Sequence, residues 1–148
     1  MEDTDRQILA ALVKDGRISY TELAERVGLS VSGAHQRVRR LEQRGVIQGY
    51  TARLDREALD TTLTAFVAIR PIDASAPDDA PERLAYLAEI EACYSIAGED
   101  NYLLLVRVAT PTSLERLLQE IRSAANVTTR TTVVLSTPFE GRPPKIET

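Results

Sequence analysis

The sequence has little of what catalysis, metal binding or a disulfide scaffold requires. Cys93 is its only cysteine, which excludes an internal disulfide and any cysteine-clustered zinc site. His35 is its only histidine, and no nucleophile–base pair, metal cluster or phosphate-cradling glycine loop accompanies it. Both lone residues read as structural. Cys93 lies among apolar neighbours and is expected to pack, and His35 falls near the edge of an apolar helix face. Apolar runs are short and no N-terminal signal pattern is seen, so a soluble cytoplasmic protein with no membrane partner is expected. Lysine is scarce too, with Lys14 and Lys145 alone, so arginine carries nearly all the positive charge. The chain offers no catalytic residues, no metal ligands and no cofactor motif, and is not expected to be an enzyme.

What is present is unevenly divided. A length of 148 residues with 43% hydrophobic content suits one ordinary domain or two small ones. The net charge of −4 conceals two halves. Residues 1–56 carry 10 Lys/Arg against 8 Asp/Glu, and residues 57–148 carry 8 against 14. That asymmetry points to a nucleic-acid module joined to an acidic module with another task. The basic excess is small, so one module alone would hold DNA weakly and two together usefully.

The basic half is organised around Ser19 to Gly45. Ser19 and Glu22 fit a capping box, flanked by Ile18 and Leu23 at the staple positions. Gly28 can end that helix in the left-handed conformation, and Ser30 offers an N-cap for a longer helix that stops at Gly45. Two short helices about a glycine turn form the helix-turn-helix pattern, whose second helix enters the major groove. At about 100° per residue, Val31, Ala34, Val38 and Leu41 face the body of the domain. Ser32, Gly33, Gln36, Arg40 and Gln43 lie opposite, with Arg37, Arg39 and Arg44 on the flanks. Arginine can fork onto guanine and glutamine onto adenine. Ser30, Ser32, Gly33, Gln36, Arg37, Arg39, Arg40 and Arg44 are therefore the candidate DNA-binding residues. Small Ser32 and Gly33 would let the backbone approach the groove. The competing reading is a solvated basic face on a winged helix that binds protein.

Around this motif, Asp3 or Thr4 should cap a first helix carrying Ile8, Leu9, Leu12 and Val13. Val46 to Leu54 has short extended character and reads as a wing or strand. Residues 55–62 are polar enough to link the two modules.

From Leu63 the period becomes that of a strand, with Leu63, Ala65, Val67 and Ile69 alternating with Thr64, Phe66, Ala68 and Arg70. A loop from Pro71 to Pro81 leads to a helix carrying Leu84, Leu87 and Ile90. Ala92–Ile96 reads as a strand, Gly98–Asn101 as a turn, and Tyr102–Val108 as a strand. Thr112 and Glu115 suggest a capping box for a helix with Leu114, Leu117, Leu118 and Ile121. Val127–Leu135 is a last strand, and the tail past Pro138 should be extended or mobile. The order β-α-β-β-α-β is the ferredoxin-like arrangement. Its helices cover one face of the sheet, yet Tyr102–Val106 is apolar on both sides and Phe66 faces away from the helices. That second face needs a cover. A symmetric dimer packed sheet to sheet supplies one, and the tail or linker folding over is the alternative.

At this point the whole chain resembles the Lrp/AsnC (feast/famine) transcription regulators. ISYTELAERVGLSVSGAHQRVRRLEQRGVIQGYTARLD resembles that family's DNA-binding half, GEDNYLLLVRV its effector turn, and NVTTRTTVVLS its last strand. The resemblance implies that the second half senses an amino acid or related small molecule through Gly98, Glu99, Asp100, Asn101 and Tyr102. It also implies homodimers assembling into octamer-like rings, with the effector bound between dimers. Asn101 stands where the family commonly has aspartate. A carboxylate facing an α-ammonium would then have to come from Asp100 or Glu99, since a neutral amide is the weaker partner.

The expected fold is α+β. A winged helix-turn-helix domain (1–54) precedes a linker (55–62), a ferredoxin-like βαββαβ effector-binding and dimerisation domain (63–137), and a tail (138–148). The expected function is sequence-specific binding of double-stranded DNA, modulated by a small-molecule effector. The alternative is a small-molecule-binding interaction protein whose helix-turn-helix contacts protein.

Overall fold

The computed structural model describes residues 1–147. They divide into two units, one of Met1–Arg53 with the tail from Phe139 onward, the other of Leu54–Pro138.

The first unit is built on three helices, α1 (Asp3–Leu12), α2 (Tyr20–Val27) and α3 (Val31–Gln43). Local chemistry sets their ends. Ser19 Oγ accepts from the Glu22 N–H at 3.1 Å, and Gly28 closes α2 at φ +68°. Ser30 Oγ caps α3 in the same way, accepting from the Gly33 N–H at 3.1 Å. The reciprocal half of the expected capping box gives way to a competing pair, because the Glu22 carboxylate accepts from Arg26, one turn on, at 2.6 Å. Helix α1 starts from Glu2 with no side-chain cap, so neither Asp3 nor Thr4 fills the expected role. The core joins Ile8 and Ala11 of α1, Leu23 of α2, and Val38 and Leu41 of α3, with Ile18 and Ile47 packed against it. Ala34 is buried as expected, but Val31 is 48% exposed. It stands at the first position of α3, ahead of the stretch that meets the other helices.

The stretch expected to be a wing or strand contains no strand. The Val46 and Ile47 N–H groups both donate to the Leu41 carbonyl, at 2.9 and 3.2 Å, and so close the end of α3. Beyond them no residue before Leu54 lies in a strand. The tail from Phe139 to Glu147 also holds no helix or strand.

The second unit runs β1 (Leu63–Pro71), α4 (Ala80–Leu84), β2 (Ile90–Ser95), β3 (Tyr102–Val108), α5 (Pro111–Ala125) and β4 (Val127–Val133). The strands form one antiparallel sheet in the order β2-β3-β1-β4, which is the expected α+β arrangement. Val67 pairs with Leu104 and Ala65 with Val106, placing these four on the helix side of the sheet. There they join Leu84, Leu87, Leu114, Leu117, Ile121 and Val127 in the larger of the two cores. Helix α4 is shorter than its spacing predicts. Leu87 is buried beyond its end, and Ile90 already belongs to β2, where it pairs with Val106. Helix α5 is capped by Thr110, whose hydroxyl accepts from Ser113 N–H at 3.1 Å. The expected cap at Thr112 is therefore displaced by two residues, with Pro111 at the first helical position, where a missing N–H costs nothing.

The opposite face of the sheet carries Phe66 paired with Leu105, Ala68 with Leu103, and Tyr94 with Leu103. Phe66 is 36% exposed and Tyr94 53%. Cys93, expected to pack, is exposed on the edge strand β2. Partial burial, with the Glu82 charge, pushes its thiol pKa up and disfavours the reactive thiolate. Among the described residues no helix is long and apolar enough to cross a membrane.

Candidate DNA-reading helix and effector turn

Helix α3 presents its two faces as different chemical surfaces. Ala34, Val38 and Leu41 are enclosed, while Ser32, Gln36, Arg39, Arg40 and Arg44 are exposed. Among the described residues no carboxylate pairs with Arg39, Arg40 or Arg44, so their guanidinium groups remain available to an outside anion. Ser30 is committed to capping, with its hydroxyl also 3.3 Å from that of Ser32. Gly33 is half-buried in the first turn, and a Cβ there would stand 3.0 Å from Ser30 Oγ. A side chain there would sit tightly against the capping hydroxyl.

Arg37 departs from expectation. Its Nη1 donates to Glu2 Oε2 at 2.7 Å and to Asp5 Oδ1 at 2.9 Å, both at the start of α1. These bonds, Glu2 first and then Asp5, raise the guanidinium pKa above its ordinary value. With its cation taken up inside the unit, Arg37 is not placed as a free phosphate or guanine contact. The sequence had no local signal for this pairing, because the carboxylates lie 35 and 32 positions upstream.

Two further contacts hold the same helix. The Tyr20 ring meets His35 edge-on, with centroids 4.7 Å apart. The Tyr50 hydroxyl donates to Glu42 Oε1 at 2.9 Å. Burial, followed by this bond to a carboxylate, pushes the Tyr50 phenol up to about 12.

The predicted effector turn joins β2 to β3. Ile96 N–H donates to the Asn101 carbonyl at 3.0 Å, and Asn101 N–H donates to Ile69 of β1 at 2.9 Å, so the turn is tied to the centre of the sheet. Gly98 has φ +149°, a conformation that L side chains rarely adopt. The turn's carboxylates are not equivalent. Asp100 is half-buried and forms an ion pair with Arg130 of β4. Glu99 is exposed, and no carboxylate-binding partner claims it among the described residues. Asn101 and Tyr102 are half-buried, and Tyr102 donates to Asp78, a bond that raises the phenol pKa. The structure thus brings the five predicted residues of the turn together, and adds Asp78 and Arg130, which spacing along the chain could not reveal.

Known proteins share this arrangement from end to end. Residues 1–48 match the winged helix-turn-helix DNA-binding family, and residues 64–144 match the Lrp/AsnC ligand binding domain. The chain is 56% identical over 142 residues to the HTH-type transcriptional regulator LrpA of Mycobacterium tuberculosis, spanning 96% of this chain and 95% of that protein. It is 43% identical over 140 residues to the leucine-responsive regulatory protein of Escherichia coli, spanning 91% and 85%. Among solved structures, the feast or famine regulatory protein of M. tuberculosis complexed with L-methionine is similar at a TM-score of 0.95. The two are 55% identical over 99% of each chain.

Proposed function

The chain belongs to the Lrp/AsnC family of transcriptional regulators, and from that premise we propose how its two units share the work. Helix α3 lies in the major groove, with Arg39, Arg40 and Arg44 on phosphates or guanines and Ser32 and Gln36 at base edges. The observation that carries this assignment is the contrast along one helix. Arg37 is engaged with α1, whereas its three basic neighbours are exposed and, among the described residues, have no carboxylate partner. Two copies, joined through the open sheet face around Phe66, Tyr94 and Leu105, offer paired helices to half-sites about 34–36 Å apart. Such dimers assemble further, and a cytoplasmic location follows from the DNA target.

The effector is an amino acid held at the Gly98–Tyr102 turn, a reading supported by the relative that is complexed with L-methionine. The exposed Glu99 is the carboxylate open to an α-ammonium, because Asp100 is already paired with Arg130. Binding there biases assembly and so operator affinity, with a reciprocal coupling of about 1–3 kcal/mol.

The test selects a duplex from a random-sequence pool with the full chain, then titrates that duplex with and without each of the twenty amino acids. A selected site that at least one amino acid strengthens or weakens several-fold is the expected result. A chain that prefers no sequence would overturn the groove assignment. Calorimetric silence from every amino acid, with dimers intact, would overturn the effector assignment.

A further inference from the structure

The position of Arg37 raises the question of what its ion pairs accomplish. Asp5 is only 6% exposed, and a carboxylate enclosed to that degree is costly unless bonded to a charge. The apolar contacts between α1 and α3, Ile8 and Ala11 against Val38 and Leu41, hold the helices together without direction, since burial is insensitive to small rotations. The bonds from Arg37 Nη1 to Asp5 and Glu2 do have direction, and they reach α3 beside Gln36 and within one turn of Arg40. A side chain read against a base edge must meet its partner within a few tenths of an ångström.

We propose that Asp5, with Glu2 in support, is a positioning residue for DNA recognition. Through Arg37 it sets the rotation of α3 about its own axis, and so the register of Gln36 and Arg40 against the bases. Asp5 touches no nucleic acid. This inference rests on the groove assignment above and adds to it a determinant of specificity on a different helix.

The experiment compares the full chain on its selected duplex with a scrambled duplex of equal length, over a salt series. Asp5→Asn and Arg37→Gln should each lower the ratio of specific to scrambled affinity by about tenfold or more, as misaligned base contacts would. Affinity for the scrambled duplex should stay within about twofold, and the salt slope should not change, because no phosphate contact is lost. The double variant should be no worse than either single one. Glu2→Gln alters a more exposed group, with 65% of its side chain accessible. It should fold normally and lose discrimination in the same direction, by a smaller factor, even if burial makes Asp5→Asn unstable.

Direct contact between Arg37 and DNA predicts the opposite pattern. Arg37→Gln would flatten the salt slope by about one, while Asp5→Asn and Glu2→Gln, by freeing the cation, would raise affinity for both duplexes. Either result overturns the proposal. Arg40→Ala separates the two levels of the argument. If it is damaging and Asp5→Asn and Glu2→Gln are silent, the positioning role alone falls. If Arg40→Ala is silent, the groove assignment falls and the positioning role with it.

Discussion

Among the described residues each unit leaves one face without a partner inside that unit, and the two faces are chemically opposite. On the helical unit it is the outward side of α3, where Arg39, Arg40 and Arg44 are exposed and have no ion pair among the described residues. On the sheet unit it is the side away from the helices, where Phe66 and Tyr94 are exposed beside half-buried Leu103 and Leu105. Both units hold paired arginines, Arg26 and Arg37 in the helical one, and what sets α3 apart is three unpaired cations along one helix among the described residues. In the sheet unit Arg56 and Arg107 converge on Glu91, Arg83 meets Asp79 and Arg130 meets Asp100. A free cation suits a polyanion, and an unfilled apolar face suits another apolar face. On the function proposed above, the pair of vacancies suits two kinds of partner, DNA for one unit and a second copy for the other.

The sharpest way to break this comparison is to make the apolar face polar. Phe66→Asp should convert dimers to monomers in sedimentation, and loss of the second DNA module should weaken operator binding roughly 10²–10⁴-fold. Dimers that persist would remove Phe66 from the interface. The complementary change on the other face is Arg40→Ala. It should cost about 1–3 kcal/mol of discrimination at the contacted base pair, measured by gel shift against single-base operator variants, with the dimer intact. An equal effect of both changes on oligomeric state would show that the two faces are not independent.

Smaller effects sharpen the contrast within each unit. Ser30→Ala removes the cap of α3 and should destabilise the helical unit by about 1 kcal/mol in urea unfolding, and Thr110→Ala should do the same for α5 in the sheet unit. A Thr112→Ala change that matched Thr110→Ala would contradict the observed cap. The weakest expected effect is alkaline. Because the folded Tyr50 pKa is raised from its ordinary 10 to about 12, its stabilising contribution is complete below pH 10 and is lost as pH rises through about 12. Tyr50 is half solvent-accessible, so the loss is small. It should appear as a shallow decline in the unfolding midpoint that Tyr50→Phe removes.

These contrasts also explain which features were legible in the sequence. Ser19, Gly28 and Ser30 act on backbone groups within a few residues, and their roles were readable directly. The alternation of β1 and the βαββαβ order followed from apolar spacing, and so did the open face around Phe66. Arg37 could not be assigned, because its helical position is indistinguishable from that of a DNA contact until the fold brings Asp5 to it. Val31 fitted the buried stripe by angle but lies ahead of the packed stretch. The end of α4 was hidden because Ile90 suits both a helix stripe and a strand facing Val106. In the effector turn the five residues were readable as a local unit, whereas Arg130 enters the same place from a strand 30 positions away.

The first turn of α3 has a consequence for redesign. A Cβ at Gly33 would stand 3.0 Å from Ser30 Oγ, so a larger residue there asks the capping hydroxyl to give by a few tenths of an ångström. Randomising that position to retarget the protein to new operators therefore couples the choice of base contact to the closure of the helix end. Gln36 lies beyond the cap, so varying it changes the outward surface without that coupling.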